Sequence, residues 1–163
     1  MTNKAALLTP GAKTEWETPS ELFDPLDAEF VFALDVAASH DNALCQWYWT
    51  AEDDGLKQPW GPHKAAWCNP PYGRTIGRWL AKATAERLNG VTTVCLLPAR
   101  TDTRWWHEWV WDRCGCHPRT GVEVRFVQGR VVFELNGKPI VDKNGRPVGS
   151  PFPSVIVIFR GVP

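Results

Sequence analysis

Val91 to Leu97 (VTTVCLL) is an unbroken apolar, β-branched run closed by Pro98 and preceded by Asn89-Gly90. A half-buried strand alternates apolar and polar residues. A run with no alternation predicts a central strand buried on both faces. Such a strand needs helices on each side of its sheet, and the flanking segments supply them. In Ile76 to Leu88, residues Ile76, Trp79, Leu80, Ala83 and Leu88 share one face, with Arg78, Lys82 and Arg87 mostly opposite, and Asn89-Gly90 closes the helix. A second helix is expected from Thr18-Pro19, with Thr18 as N-cap, Pro19 at the first helical position and Glu21 at the third. Leu22, Phe23, Leu26 and Phe30 recur along it, with Pro25 inside. Thr103 to Cys114 reads as a third, Trp-rich helix.

Further strands are expected at Val31–Ala37 (ending at Asp35), Gln46–Thr50, Ala65–Cys68 and Val155–Phe159. Val122–Val127 and Arg130–Leu135 flank Gln128-Gly129 as a plausible hairpin, and residues 136–151 read as a long loop. Strands alternating with helices define an α/β fold with a mostly parallel sheet and an antiparallel C-terminal hairpin. Residues 1–13 read as a flexible arm and 14–163 as one domain. In such sheets ligands bind beyond the carboxyl ends of the strands, where Asp35, Asp54, Asn69 and Pro98 fall.

The 163 residues suffice for one domain with a real core. No apolar run approaches membrane-spanning length, and the start has no signal-peptide layout, so no membrane partner is expected. Five cysteines without a secretion signal suggest reduced thiols in a cytoplasm. Cys114-Gly115-Cys116-His117 invites a zinc reading, but its ligands are close together and no second pair has finger spacing. Incidental thiols and no metal are therefore expected.

The chemistry centres on Asn69-Pro70-Pro71-Tyr72, directly after an expected strand. The two prolines forbid a ladder or a helix and make the loop rigid. Asn69 offers an amide oxygen, Pro70 a carbonyl, Pro71 shapes the loop and Tyr72 gives a flat face. Together they could accept both hydrogens of a planar amino group and stack on its ring. Two acceptors pull a conjugated amine towards a tetrahedral shape and localise its lone pair. Positioning and electrostatics then replace a strong base.

Asn-Pro-Pro-Tyr is similar to motif IV of amino-group methyltransferases that use S-adenosylmethionine. The segments WETPSELFDPLDAEF, LDVAASHDNALC, EDDGLKQPW, WCNPPYG, LLPARTDTRWWHEWV, RFVQGRVVF and SPFPSVIVIF resemble, in order, the phage-type DNA N6-adenine methyltransferases, the Dam-like family. The resemblance implies a Rossmann-like methyltransferase fold with helices on both faces. It implies methyl transfer from S-adenosylmethionine to adenine N6 in double-stranded DNA, with the adenine flipped out of the stack. Trp16, Thr18 and Pro19 look like the motif that approaches the cofactor's methionine carboxylate. Asp35, Ala37 and Ser39 occupy the loop that holds the methionyl end, and Asp54 and Leu56 the segment that contacts the adenine. The usual Gly-x-Gly is replaced around Ala38-Ser39, and Glu52 and Asp53 are candidates for the ribose. Arg100, Thr101 and Trp105 could touch nucleic acid. So could Arg125, Arg130, Lys138, Lys143 and Arg146 in or near the expected hairpin and loop. A bacterial host cytoplasm is implied for a phage-encoded chain.

The same loop chemistry suits cytosine N4, RNA adenine or a protein glutamine amide. A nucleic-acid-binding module without catalysis is the non-enzymatic alternative. The formal net charge of zero conceals a split: residues 1–54 balance to −9 and residues 55–163 to +9. Such asymmetry favours a polyanion-facing surface.

Overall fold

Every strand of the main sheet is short except the two that carry no polar alternation. The computed structural model describes residues 16–163. The strands are β1 (Leu34–Asp35), β2 (Trp47–Tyr48), β3 (Ala65–Cys68), β4 (Thr92–Pro98), β5 (Val122–Phe126), β6 (Glu134–Leu135), β7 (Lys138–Pro139) and β8 (Ser154–Phe159). The helices are α1 (Ser20–Phe30) and α2 (Ile76–Arg87), and Trp106–Val110 forms a π-helical turn. Six strands form one sheet in the order β2-β1-β3-β4-β8-β5. The first four are mutually parallel, and β8 runs antiparallel to both β4 and β5.

Side chains alternate between two apolar layers, as a pleated sheet covered on both faces requires. Ala66, Cys68, Cys95, Leu97, Val155 and Val157 pack with Ile76, Leu80 and Ala83 of α2. Ala65, Trp67, Val94, Leu96, Ile156 and Ile158 pack with Phe23 and Leu26 of α1. The sheet therefore has a helix on each face, as expected. No helix among the described residues is long and apolar enough to cross a membrane. The expected arm, residues 1–13, lies outside the described residues.

Several local expectations are corrected. Helix α1 begins at Ser20 with Pro19 at the cap and no side-chain cap bond. The Thr18 hydroxyl is engaged elsewhere, as described below. The expected strand at Val31 shrinks to two residues because Val31 ends α1 in the left-handed region (φ 54°), its N–H donating to the Asp27 carbonyl. Phe32 N–H then donates to Asp27 Oδ1 (2.8 Å), so the chain enters the sheet only at Leu34.

The expected helix Thr103–Cys114 stops at Val110. Trp111 turns extended (φ −114°, ψ 146°) and bridges Pro118. The expected hairpin across Gln128-Gly129 does not form, because β5 pairs with the distant β8 instead. The tight hairpin joins β6 to β7 across Asn136-Gly137, both at positive φ (53° and 67°), within the segment read as loop. That pair is the sequence type a two-residue hairpin turn demands.

Residues 131–150 form an irregular ribbon. Ile140 N–H donates to Phe133 O, Val148 N–H to Ile140 O, and Ser150 N–H to Val131 O. Val131, Phe133 and Ile140 anchor this ribbon on the α1 face of the sheet.

Candidate active site

The parallel neighbours β1, β3 and β4 end on the same edge, and each delivers part of the site. Strand β3 ends at Cys68 and hands the chain to Asn69-Pro70-Pro71-Tyr72. Asn69 is half-buried, Pro70 buried and Pro71 exposed. Asn69 Nδ2 donates to the Trp16 carbonyl (2.9 Å) and to Thr18 Oγ1 (3.2 Å). A backbone carbonyl can only accept, so the amide nitrogen must face Trp16. The planar amide thereby fixes its oxygen on the side opposite Trp16 and Thr18. Thr18 thus orients Asn69 rather than capping α1.

Tyr72 is half-buried, and its hydroxyl donates to the Leu96 carbonyl at 3.3 Å. Its ring meets Trp16, Phe133 and Phe152 edge-on, at centroid distances of 5.8, 6.2 and 5.5 Å. Burial drives the phenol's pKa well above its usual range, so Tyr72 stays neutral. Trp16 stacks on Phe133 (5.0 Å) and Phe152 (5.6 Å). Phe133 and Phe152 belong to the ribbon and its exit, so the Asn69–Tyr72 loop and the ribbon share one aromatic cluster. Glu17 reinforces the joint. Its backbone pairs with Glu134, and its carboxylate accepts from Asn136 N (2.9 Å) and Gly137 N (2.8 Å). Sequence reasoning did not identify Glu17, Phe133 or Phe152 as site residues. The segments RFVQGRVVF and SPFPSVIVIF, which contain the two phenylalanines, were the available signal.

Asp35 ends β1 and is 4% exposed. Its Oδ1 accepts from Ala37 N (3.2 Å) and its Oδ2 from Leu44 N (3.3 Å), pinning the loop that carries Ala37 and Ser39. Burial outweighs these two bonds and pushes its pKa up to about 6. Ser39 N–H donates to Asn42 Oδ1, while Ser39 Oγ is buried without a partner among the described residues. The Asp54-Gly55-Leu56 segment comes against this loop at one point. A Cβ on Gly55 would collide with the Val36 carbonyl, so only glycine allows the approach. Asp54 sits at φ 56° and pairs with Lys57 (2.9 Å), which holds its carboxyl below the usual range. Asp53 Oδ2 accepts from both the N–H and the hydroxyl of Thr50. Glu52 is exposed.

These residues fit a cofactor with an amino acid end and a nucleoside end. An orphaned hydroxyl, Ser39 Oγ, lies in the loop after β1, and a row of carboxylates follows β2.

The expected nucleic-acid contacts fall into four groups. Arg100 and Thr101 are exposed just beyond β4, on the edge that carries Asn69. Trp105 is half-buried against the α2 face, with its Cβ beside Gly77. Arg130, Lys138, Lys143 and Arg146 are exposed on the ribbon. Arg125 is not brought to the site. It forks onto Glu29 and bonds Glu123, and Arg160 joins the same network. Both guanidinium groups also lie over the Phe30 ring. The charge split is partly neutralised here, since Glu29 of the acidic segment meets two arginines of the basic one. Arg74, exposed two residues after Tyr72, is a cation beside the Asn69–Tyr72 loop that sequence reasoning passed over.

A mostly parallel sheet with a helix on each face, and Asn-Pro-Pro-Tyr directly after its third strand, is the architecture of an α/β methyltransferase fold. The chain belongs to the DNA N-6-adenine-methyltransferase (Dam) family, whose model matches residues 7–162. It is 35% identical over 102 residues to the DNA N-6-adenine-methyltransferase of Escherichia phage T1. That match spans 61% of this chain and 42% of the T1 protein. It is also 37% identical over 76 residues to YfdM of Escherichia coli (strain K12), spanning 43% of this chain and 84% of YfdM.

Proposed function

We propose that the protein transfers a methyl group from S-adenosylmethionine to N6 of adenine in double-stranded DNA, with residues 14–163 acting as one methyltransferase domain. The observation that carries this reading is the locked amide of Asn69. Its nitrogen is taken by Trp16 O and Thr18 Oγ1, so its oxygen is the group offered at the carboxyl end of β3. Asn69 Oδ1 and the Pro70 carbonyl accept the two N6 hydrogens, and Pro71 fixes their spacing. Because both acceptors are set before the substrate arrives, little reorganisation is needed during the reaction. The cofactor supplies an electrophilic methyl group on a sulfonium. Thr18, Pro19, Asp35, Ala37 and Ser39 border its methionyl end, and Asp54 and Leu56 its adenine. The target adenine leaves the stack, which takes a few kcal/mol and is offset by packing against Tyr72 and by the new hydrogen bonds. Such a reaction places the protein where DNA is, in a cytoplasm.

Methylation of plasmid DNA by Asn69→Ala and Tyr72→Ala tests the site. Loss of a preorganised acceptor predicts a rate about 10²-fold lower for Asn69→Ala. Full activity in both variants removes the assignment. Base-resolved mapping of DNA from expressing cells distinguishes adenine N6 from cytosine N4. A substrate competition with RNA or with a glutamine peptide covers the other planar amines.

A further inference from the structure

Residues 112–117 form a short closed loop between the π-helical turn and β5. Trp111 bridges Pro118, and Asp112 N–H donates to the His117 carbonyl (3.1 Å), which closes the base of the loop. Gly115 stands at its tip at φ 71° with open space around it. Asp112, Cys114 and His117 each offer one donor atom, and these atoms lie within 4.8 Å of one another. Cys114 Sγ is 2.7 Å from Asp112 Oδ2, and His117 Nε2 is 3.5 Å from the same oxygen. The Cys116 Sγ lies 3.5 Å from the Cys114 carbonyl.

The histidine fixes the chemistry. His117 Nδ1 lies 2.8 Å from the Pro118 carbonyl, which can only accept, so the ring proton sits on Nδ1. In the neutral imidazole Nε2 is then a bare lone pair, aimed at a carboxylate oxygen. A proton on Nε2 makes this contact an ion pair with Asp112, and a divalent cation can take that proton's place. A ring N–H donated to a backbone carbonyl is also the usual support of a metal-ligating imidazole.

We infer that Asp112, Cys114, Cys116 and His117 bind a divalent transition metal of the zinc class. The clustered donors are one thiolate, one imidazole and one carboxylate, and the Cys116 thiol, two residues on from Cys114, supplies the fourth position of the tetrahedron zinc prefers. Tetrahedral bonds of ~2.0–2.3 Å set ligand atoms roughly 3.3–3.8 Å apart, so the His117–Asp112 separation of 3.5 Å already suits an ion and the Cys114–Asp112 pair opens to admit it. The glycine tip gives the loop that freedom. Binding displaces the Cys114 and Cys116 thiol protons to solvent, so each metal taken up releases protons. The site lies outside the Asn69 loop and does not depend on the reaction proposed there. The sequence concealed it because Cys-Gly-Cys-His alone is too crowded to read as a ligand set. Asp112 completes it only once Trp111 and Pro118 are paired.

The test uses Co²⁺ as a spectroscopic stand-in, added to the full chain kept reduced. One equivalent is expected to give a thiolate-to-cobalt charge-transfer band with intense tetrahedral visible bands, bleached by one equivalent of Zn²⁺. Cys45→Ser keeps the bands. The double variant Cys114→Ser/Cys116→Ser loses the charge-transfer band, and His117→Ala weakens binding at least tenfold. No charge-transfer band at tenfold excess of Co²⁺, or a band that survives the double cysteine variant, overturns the inference.

Discussion

Asp35 is a carboxylate sealed in the sheet edge, with two backbone N–H donors and, among the described residues, no cation beside it. Its pKa is raised from an ordinary 3.8 to about 6, so the folded chain holds the proton more tightly than the unfolded chain does. The sign follows: the stabilising share is complete below about pH 4 and is lost as pH rises through about 6. Fully ionised, Asp35 costs on the order of 3 kcal/mol. Asp35→Asn cannot ionise, although its amide places a donor against one of the two N–H groups. Urea unfolding of both proteins across pH 4–7 should show wild-type stability falling relative to the variant as pH rises. A constant difference across that range would contradict it. The composition could show an acidic residue ending a buried run at Asp35. It could not show that the carboxylate is spent on Ala37 and Leu44, because that depends on how the loop folds back. Asn69 was legible as an acceptor for the same local reason that Thr18 was misread. Motif chemistry identifies donor and acceptor types, whereas Thr18 is drawn from its helix by a partner fifty-one positions away.

At the scale of elements, those with strong local patterns emerged where expected. Strand β3 matches residue for residue, and β4, β8 and α2 agree within about one residue. The hairpin was missed because β5 satisfies its backbone against β8, a pairing no local pattern encodes. The true hairpin has strands of two residues, too short for any period, and only Asn136-Gly137 marks it. That turn has an unusual fastening in the Glu17 carboxylate on its two amides. Charge-assisted bonds of this kind are worth more than neutral ones, but these are exposed. Glu17→Ala should therefore lower global stability by only about 1 kcal/mol. Hydrogen exchange at the Asn136 and Gly137 amides should nevertheless accelerate by tenfold or more. Unchanged exchange at both amides would show that the turn holds without Glu17.

For the whole molecule, the location of charge matters more than its sum. Arg125 and Arg160 are committed to Glu29 and Glu123, whereas Arg100, Arg130, Lys143 and Arg146 are exposed towards the loop edge and ribbon. If the second set contacts phosphates, each removal should reduce the slope of log affinity against log salt by about 0.9. Arg125→Ala should leave that slope unchanged while lowering stability. Equal slopes for Lys143→Ala, Arg146→Ala and the wild type would remove the ribbon from the DNA surface. The position of β8 has one more consequence. It is the last strand in chain order, yet it lies between β4 and β5. During synthesis, β4 therefore presents an open edge until residues 154–159 emerge, and β5 waits without a partner. The sheet closes by insertion, and a ribosome stalled before Ser154 would hold a chain whose longest buried strand is still available to its neighbours.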